Sequence, residues 1–300
     1  MRRVAARRGP TFMRVMLGME LRALREKLKA EAEAAGEDGG KWTAEAVSAR
    51  VRFSRARLSR VEAGEIPIPK LADLERLLDE YGVSDVDDRD DLKRIHLDSL
   101  KTEPITSYRA FLPSGLLRYL ALERDSVRIR AYKNNVIHGL LQTQEYATAL
   151  IGGAKIVEER TTEAIERSIQ ARVERKALLV EGREVHIILA EASLRTCVGS
   201  PELMRGQYAE IIRLCELDTV DVQIIPAALP TYRVGTNFTV LEFDDLTPVV
   251  QSDGHRCTTM WSKPSDVGQF TRQFDAMAKA APGPSETPRI LKALEEELWK

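Results

Sequence analysis

The sequence predicts an α+β protein: an all-α N-terminal domain of five short helices, then a mixed α/β domain. Three observations carry this. Leucines recur at helical spacing over Leu17–Leu28 and Leu71–Leu78, strand-length apolar runs alternate with helical patterns from Val127 onward, and the change falls at Lys101–Tyr108, which contains Pro104. The expected bounds are residues 1–15 as a basic leader without fixed structure, 16–100 as the helical domain and 101–108 as a linker. Residues 109–282 form the mixed domain and 287–300 a closing helix.

Leu17, Leu21, Leu24 and Leu28 mark one face of an amphipathic first helix, which should end in the glycine-bearing stretch 34–40. Thr43 then has the position and chemistry of an N-cap and opens a short helix reaching Val51. Ser54 caps another over 55–62, with Leu58 and Val61 inward and Gly64 as its terminator. Leu71, Leu74, Leu77, Leu78 and Tyr81 form a fourth apolar face closed by Gly82. A fifth helix over 88–100 begins among aspartates, which the positive end of a helix dipole favours.

Beyond the linker, a helix over 114–125 leads to Val127–Tyr132, whose alternation is that of a strand. Helices at 144–151 and 161–180 precede a strand at 184–190, and a helix at 201–217 precedes a strand at 220–226. Strands at 237–243 and 248–252 flank Asp244-Asp245 as a hairpin. Helices at 266–280 and 288–299 finish the chain.

Hydrophobic residues make up 43% and charged residues 30%, the balance of a folded soluble protein rather than a disordered one. No apolar run has bilayer-spanning length, and no apolar region follows Arg2, Arg3, Arg7, Arg8 and Arg14, so neither a transmembrane helix nor a secretory signal is expected. The leader is read either as a phosphate-touching arm or as an extension ahead of a start at Met13 or Met16. Cys197, Cys215 and Cys257 are odd in number and widely spaced, which fits buried thiols in a reducing cytoplasm. His255 and Cys257 lack a second pair to complete a tetrahedral zinc site, so no metal and no cofactor is expected.

The net charge of -1 hides a local asymmetry. Between Lys41 and Glu62 stand six bases against two acids, and between Arg50 and Arg60 there are five arginines and no acid. Two short helices joined by a tight turn, the second rich in arginine, form a helix-turn-helix that places its second helix in the major groove of DNA. That groove, about 12 Å wide, admits one α-helix, whose N-terminal turns reach base edges. With Ser54 as N-cap, Arg55, Ala56, Arg57 and Arg60 face away from Leu58 and Val61 and are the expected base readers. Lys41, Thr43, Arg50, Arg52 and Ser54 lie nearer the preceding helix and the turn and are assigned to phosphates. The bland alternative is a solvated arginine face in an arginine-rich chain.

The order of residues weighs against that alternative. Thr43-Ala44-Glu45-Ala46-Val47-Ser48-Ala49-Arg50-Val51-Arg52-Phe53-Ser54, followed by Leu58-Ser59-Arg60-Val61-Glu62-Ala63-Gly64, resembles the phage-repressor-like (Xre) helix-turn-helix family, with Leu17–Glu26 similar to that family's first helix. Three departures are visible: a longer loop before the second helix, Ser48 where a small alanine is usual, and Arg52 at a turn position usually given to glycine. A positive φ there costs a non-glycine residue roughly 1 kcal/mol. The resemblance also implies that Glu62, an acid at odds with a DNA-facing role, pairs with Arg25 inside the domain.

The C-terminal part resembles the domain of unknown function in WhiJ-like regulators of actinobacteria. The resemblance rests on Gly139-Leu140-Leu141-Gln142-Thr143-Gln144-Glu145-Tyr146-Ala147, Ala190-Glu191-Ala192-Ser193-Leu194-Arg195, Val220–Pro226 and Asn237–Phe243. His138 stands where that family commonly has proline. The resemblance implies partner binding or effector sensing, with an antitoxin-like pairing to a small protein as an alternative role. Gln142 and Tyr146 on one helix face, and Glu191 and Arg195 after a strand end, are candidate effector or partner contacts. Each also has a structural reading as packing or loop fixation.

Phosphate-loop, dinucleotide-binding, zinc-protease and nucleophile-elbow motifs are all missing, so an enzyme is not expected. The expected function is that of a sequence-specific transcription regulator, binding double-stranded DNA as a homodimer because one small domain offers few base contacts. An interaction module that has lost DNA binding is the rival reading.

Overall fold

The computed structural model describes residues 8–103, 108, 111–112, 115–155, 157–254 and 258–299. The fold is α+β, and the chain divides into two compact units between residues 104 and 105.

In the first unit, α1 (Pro10–Ala34) starts earlier than the leucine pattern indicates. Pro10 occupies a first-turn position, where its missing N–H is no loss, and Phe12 and Val15 are fully buried. Residues 10–15, expected as unstructured leader, are therefore helical, because the apolar face extends one turn past Leu17. The Thr11 N–H donates to the buried Glu103 carboxylate at 2.9 Å, tying the start of α1 to the end of the unit. The remaining leader expectation, for residues 1–7, lies outside the described residues, as do residues 104–107 of the expected linker.

A 3₁₀ turn (Gly39–Trp42) links α1 to α2 (Ala44–Arg50), which is followed by α3 (Arg55–Glu62), α4 (Leu71–Glu80) and α5 (Val86–Ser99). Leu17, Leu21, Val47, Leu58, Val61, Leu74, Leu77 and Leu78 make one core, each contributing roughly 1.5–3 kcal/mol by burial. α4 closes as expected on Gly82, at φ +67, with the Val83 N–H donating back to the Leu78 carbonyl. α5 begins two residues earlier than expected because Asp85 is its N-cap, accepting from the Asp88 N–H at 3.0 Å.

The second unit is a six-stranded sheet with helices. Its elements are α6 (Leu116–Asp125), β1 (Arg128–Lys133), α7 (Gln144–Gly153), α8 (Thr162–Glu174), α9 (Ala177–Val180), β2 (Glu184–Ala190), α10 (Ala192–Arg195), α11 (Pro201–Leu214) and β3 (Val220–Ile225). After these come β4 (Phe238–Glu242), β5 (Val249–Asp253), β6 (Thr258–Trp261), α12 (Pro264–Ala280) and α13 (Thr287–Leu298). Strand order is β3-β2-β1-β4-β5-β6. β1, β2 and β3 are parallel neighbours joined through helices, and β4, β5 and β6 continue the sheet antiparallel. β1 is central, so Arg128 stands in register between Glu184 and Glu242 and bonds both, at 2.7 and 3.2 Å. Tyr132, Ile188, Phe238, Val240, Val250, Phe274 and Met277 build the core between the sheet and α12.

Two sequence expectations need correction here. The helix expected over 161–180 is two helices, and the break falls at Arg175, whose guanidinium forks onto fully buried Glu123 with two contacts of 2.7 Å. Nor are the thiols uniformly buried: Cys197, in the loop after α10, is exposed, and Cys215, capping α11, is half-buried. Cys257 and His255 lie outside the described residues. Strand β6 was not expected from the sequence. No helix among the described residues is long and apolar enough to cross a membrane.

Candidate nucleic-acid interface

α2 and α3 are each built by a side-chain cap. The Thr43 hydroxyl accepts from the Ala46 N–H at 3.3 Å, and the Ser54 hydroxyl accepts from the Arg57 N–H at 3.1 Å. Both caps hold donors that the first turn of a helix leaves unpaired. Between the helices, Arg52 adopts φ +59, and the Phe53 N–H donates to the Ser48 carbonyl at 2.8 Å. This is a Schellman-type close with arginine in the left-handed position. The buried Ser48 hydroxyl finds its partner locally, donating to the Glu45 carbonyl at 2.8 Å, so it substitutes for a small apolar residue without an unmet donor.

The inner face of α3 is fixed against α1. A Cβ on Gly18 would lie 2.4 Å from the Val61 carbonyl oxygen, so the two backbones can approach only because Gly18 has none. Gly64, at φ +66, both terminates α3 and abuts the Val15 Cα, where a Cβ would lie at 2.6 Å. Arg25 Nε and an Nη each donate to Glu62 at 2.7 Å, and the other Nη donates to the Trp42 carbonyl at 3.1 Å. Both side chains are buried. Burial and the Glu62 charge push the Tyr81 phenol upward, which keeps it neutral beside the pair.

The outer face of α3 carries the expected base readers, in unequal states. Arg55 and Arg60 are exposed, Arg55 with an ion pair to Glu45 at 3.6 Å and Arg60 donating to Glu65 at 3.3 Å. Ala56 is exposed between them. Arg57 differs from the expectation of a fully outward side chain: it is half-buried, lies over the Phe53 ring at 3.8 Å and donates to Asp73 at 2.6 Å. The reason is its third position in α3, which brings it alongside the first turn of α4. Asp73 also accepts from Arg76. Burial raises the Asp73 carboxyl, but Arg57, Arg76 and Lys70 outweigh it and hold the group below its usual value.

The residues assigned to phosphates lie between the 3₁₀ turn and the N-cap of α3. Lys41 pairs with Glu37 at 2.5 Å. Arg50 donates to Glu80 at 2.6 Å and to the Lys41 carbonyl at 2.7 Å, with its guanidinium over Trp42. Arg52 is exposed. Thr43 and Ser54 are engaged as caps. Sequence reasoning missed Phe53, Asp73, Arg76 and Trp42. Asp73 reads in the sequence as an ordinary first-turn acid, and only the packing of α4 beside α3 gives it a partner sixteen residues away.

In the second unit the four candidate contact residues are held internally. Gln142 donates to the Ile137 carbonyl at 2.7 Å and accepts from Arg172 at 2.8 Å, while Tyr146 is fully buried. Glu191 accepts from the Ala227 N–H at 2.6 Å and from Arg195, which also forks onto Glu297 at 2.8 and 2.9 Å. Among the described residues no group of three or more His, Cys, Asp or Glu could hold a metal ion.

A helix-turn-helix domain model matches residues 16–92, which include α2, α3 and α4 in full and parts of α1 and α5. A second model, described as "Domain of unknown function (DUF5753)", matches residues 116–293. No curated protein and no solved structure matches the chain. With the capped, arginine-bearing helix pair in its first unit and more than half of its length matched in the second, the chain carries an N-terminal helix-turn-helix DNA-binding domain and belongs to the DUF5753 domain family.

Proposed function

We propose that this protein is a sequence-specific transcription regulator of the Xre type, joined to a WhiJ-like C-terminal domain, which sets α3 in the major groove of double-stranded DNA. The observation that supports this reading most directly is the capped N-terminal turn of α3, whose buried residues are Leu58, Val61 and Glu62 while Arg55, Ala56 and Arg60 stand exposed on one side. Arginine's planar fork suits guanine O6 and N7 in that groove. Arg52, Lys41 and Arg50 border the same helix pair and serve as phosphate contacts. The working form is a homodimer reading two half-sites one helical turn apart, since a single unit offers few base contacts. The second unit receives a small partner protein or effector that alters operator affinity.

The test is selection of genomic fragments by the purified protein at two salt concentrations. One recurring palindrome, bound more weakly at high salt, is the expected result. No enriched motif would overturn the reading in favour of an interaction module. Sedimentation showing a monomer at micromolar concentration would remove the dimer. A partner that leaves operator affinity unchanged, against an expected shift of about 1–3 kcal/mol, is not the regulator of this site.

A further inference from the structure

Arg57 sits at the third position of α3, within the turn that reaches base edges in a groove-bound helix. It is also the half-buried arginine of that face, where Arg55 and Arg60 are exposed. Its guanidinium carbon lies 3.8 Å from the centroid of the Phe53 ring, and one Nη donates to Asp73 at 2.6 Å. Asp73 itself cannot swing away: its side chain is buried, its N–H is held by the Lys70 carbonyl at 3.0 Å, and its second oxygen is taken by Arg76. A guanidinium has five N–H donors, and among the described residues Arg57 gives no other hydrogen bond. The ring and the carboxylate together restrict how the remaining donors can be oriented. An arginine chain loses substantial rotamer freedom when it is immobilised, and here the loss has already occurred before any DNA arrives.

The geometry points to Asp73, on α4, as the positioning residue for DNA sequence readout, acting through Arg57 with Phe53 as the platform. Asp73 touches no base in this arrangement. It converts Arg57 from a flexible cation that any phosphate satisfies into an oriented fork that one base pair satisfies. This inference rests on the reading of α3 as the DNA-reading helix.

The experiment uses the full chain and a duplex selected by it from a random library, with a scrambled duplex as control. Asp73→Asn is expected to lower the ratio of selected to scrambled affinity about 10-fold, the scale of one lost bidentate contact. Affinity for the scrambled duplex should stay equal or rise, because a carboxylate near the phosphates is gone. Arg57→Lys, which keeps the charge and loses the fork, should lower the ratio equally, and the double variant should add nothing further. Phe53→Leu fills the core without a π face and should give a fall of the same kind if Asp73→Asn folds poorly. In the free protein, the sharp Arg57 Nε–H NMR signal expected for a fixed side chain should broaden in Asp73→Asn. A ratio that rises means that Asp73 restrains Arg57 from DNA, and an unchanged ratio means a merely structural acid; either overturns the inference alone. A wild-type protein that selects no sequence overturns the DNA-reading proposal and this inference with it.

Discussion

Arg25 and Glu62, 37 residues apart, meet in a two-point fork of 2.7 Å on each arm, with both side chains buried. The fork joins α1 to the last turn of α3, so the helix that presents the arginines is clamped at its far end as well as capped at its near end. Removing one partner strands the other charge away from water. Arg25→Met is expected to destabilise the first unit by about 3–5 kcal/mol, whereas Arg25→Met with Glu62→Leu should recover most of that, because the charge and its partner leave together. Urea unfolding of the three proteins measures this; a loss below about 1 kcal/mol in the single variant would show that the pair is not bearing on stability.

Arg52 holds φ +59, where a Cβ crowds the following carbonyl. Glycine would relieve about 1–2 kcal/mol of strain and give back about 0.5–1 through the freedom it adds to the unfolded chain. Arg52→Gly should therefore raise stability slightly while weakening DNA binding, if the exposed guanidinium meets phosphate as proposed. A variant that is more stable and binds equally well would remove Arg52 from the phosphate contacts and leave only the strain at φ +59.

Arg55 and Lys41 separate the two kinds of DNA contact. Arg55 is a solvent-exposed first-turn residue of α3, and Lys41 lies in the 3₁₀ turn ahead of α2. Arg55→Ala should cost about 1–3 kcal/mol at one base pair of the selected duplex and relax preference there. Lys41→Ala should weaken selected and scrambled duplexes alike and make the salt dependence shallower by about one unit of slope. Uniform weakening in both variants would erase the distinction between them.

Local chemistry made the first unit legible in the sequence. Thr43, Ser54 and Gly82 each act within one or two turns of themselves, and caps and Schellman closes are decided at that range. The strands β2 and β3 were legible because apolar runs of that length, bounded by turns, leave few alternatives. What the sequence hid is long-range. Helix α1 extends back to Pro10 because Phe12 and Val15 find a core there, and Arg57 is half-buried because α4 brings Asp73 beside it. Strand β6 is short, half-exposed and held at the sheet edge by β5, so its own residues carry little periodic signal. Glu191 and Arg195 look like ligand groups in sequence for the same reason they serve as framework: charged side chains at a strand end need partners, and Ala227 and Glu297 supply them.

His138, standing just before Gly139 in the second unit, is buried, and its Nδ1 accepts from the Leu140 N–H at 3.3 Å, a bond only the unprotonated nitrogen can make. Burial first, then the cations Lys133, Arg175 and Arg172, hold its pKa well below the ordinary 6.5. The unfolded chain takes up this proton near pH 6.5 while the folded chain does not. The stabilisation is therefore complete above about pH 6.5 and falls with pH below it, by about 1.4 kcal/mol per unit until the folded pKa is reached. Other groups add their own slopes, including His96 in the first unit, whose pKa burial also lowers. The measurement is consequently a difference: urea unfolding of wild type and His138→Gln at about pH 7.5 and about pH 5.5. Wild type should lose about 1.4 kcal/mol more than the variant between the two, because only it carries the titrating ring. Equal losses in both proteins would mean that the His138 ring takes up its proton in the folded state as readily as in the unfolded one.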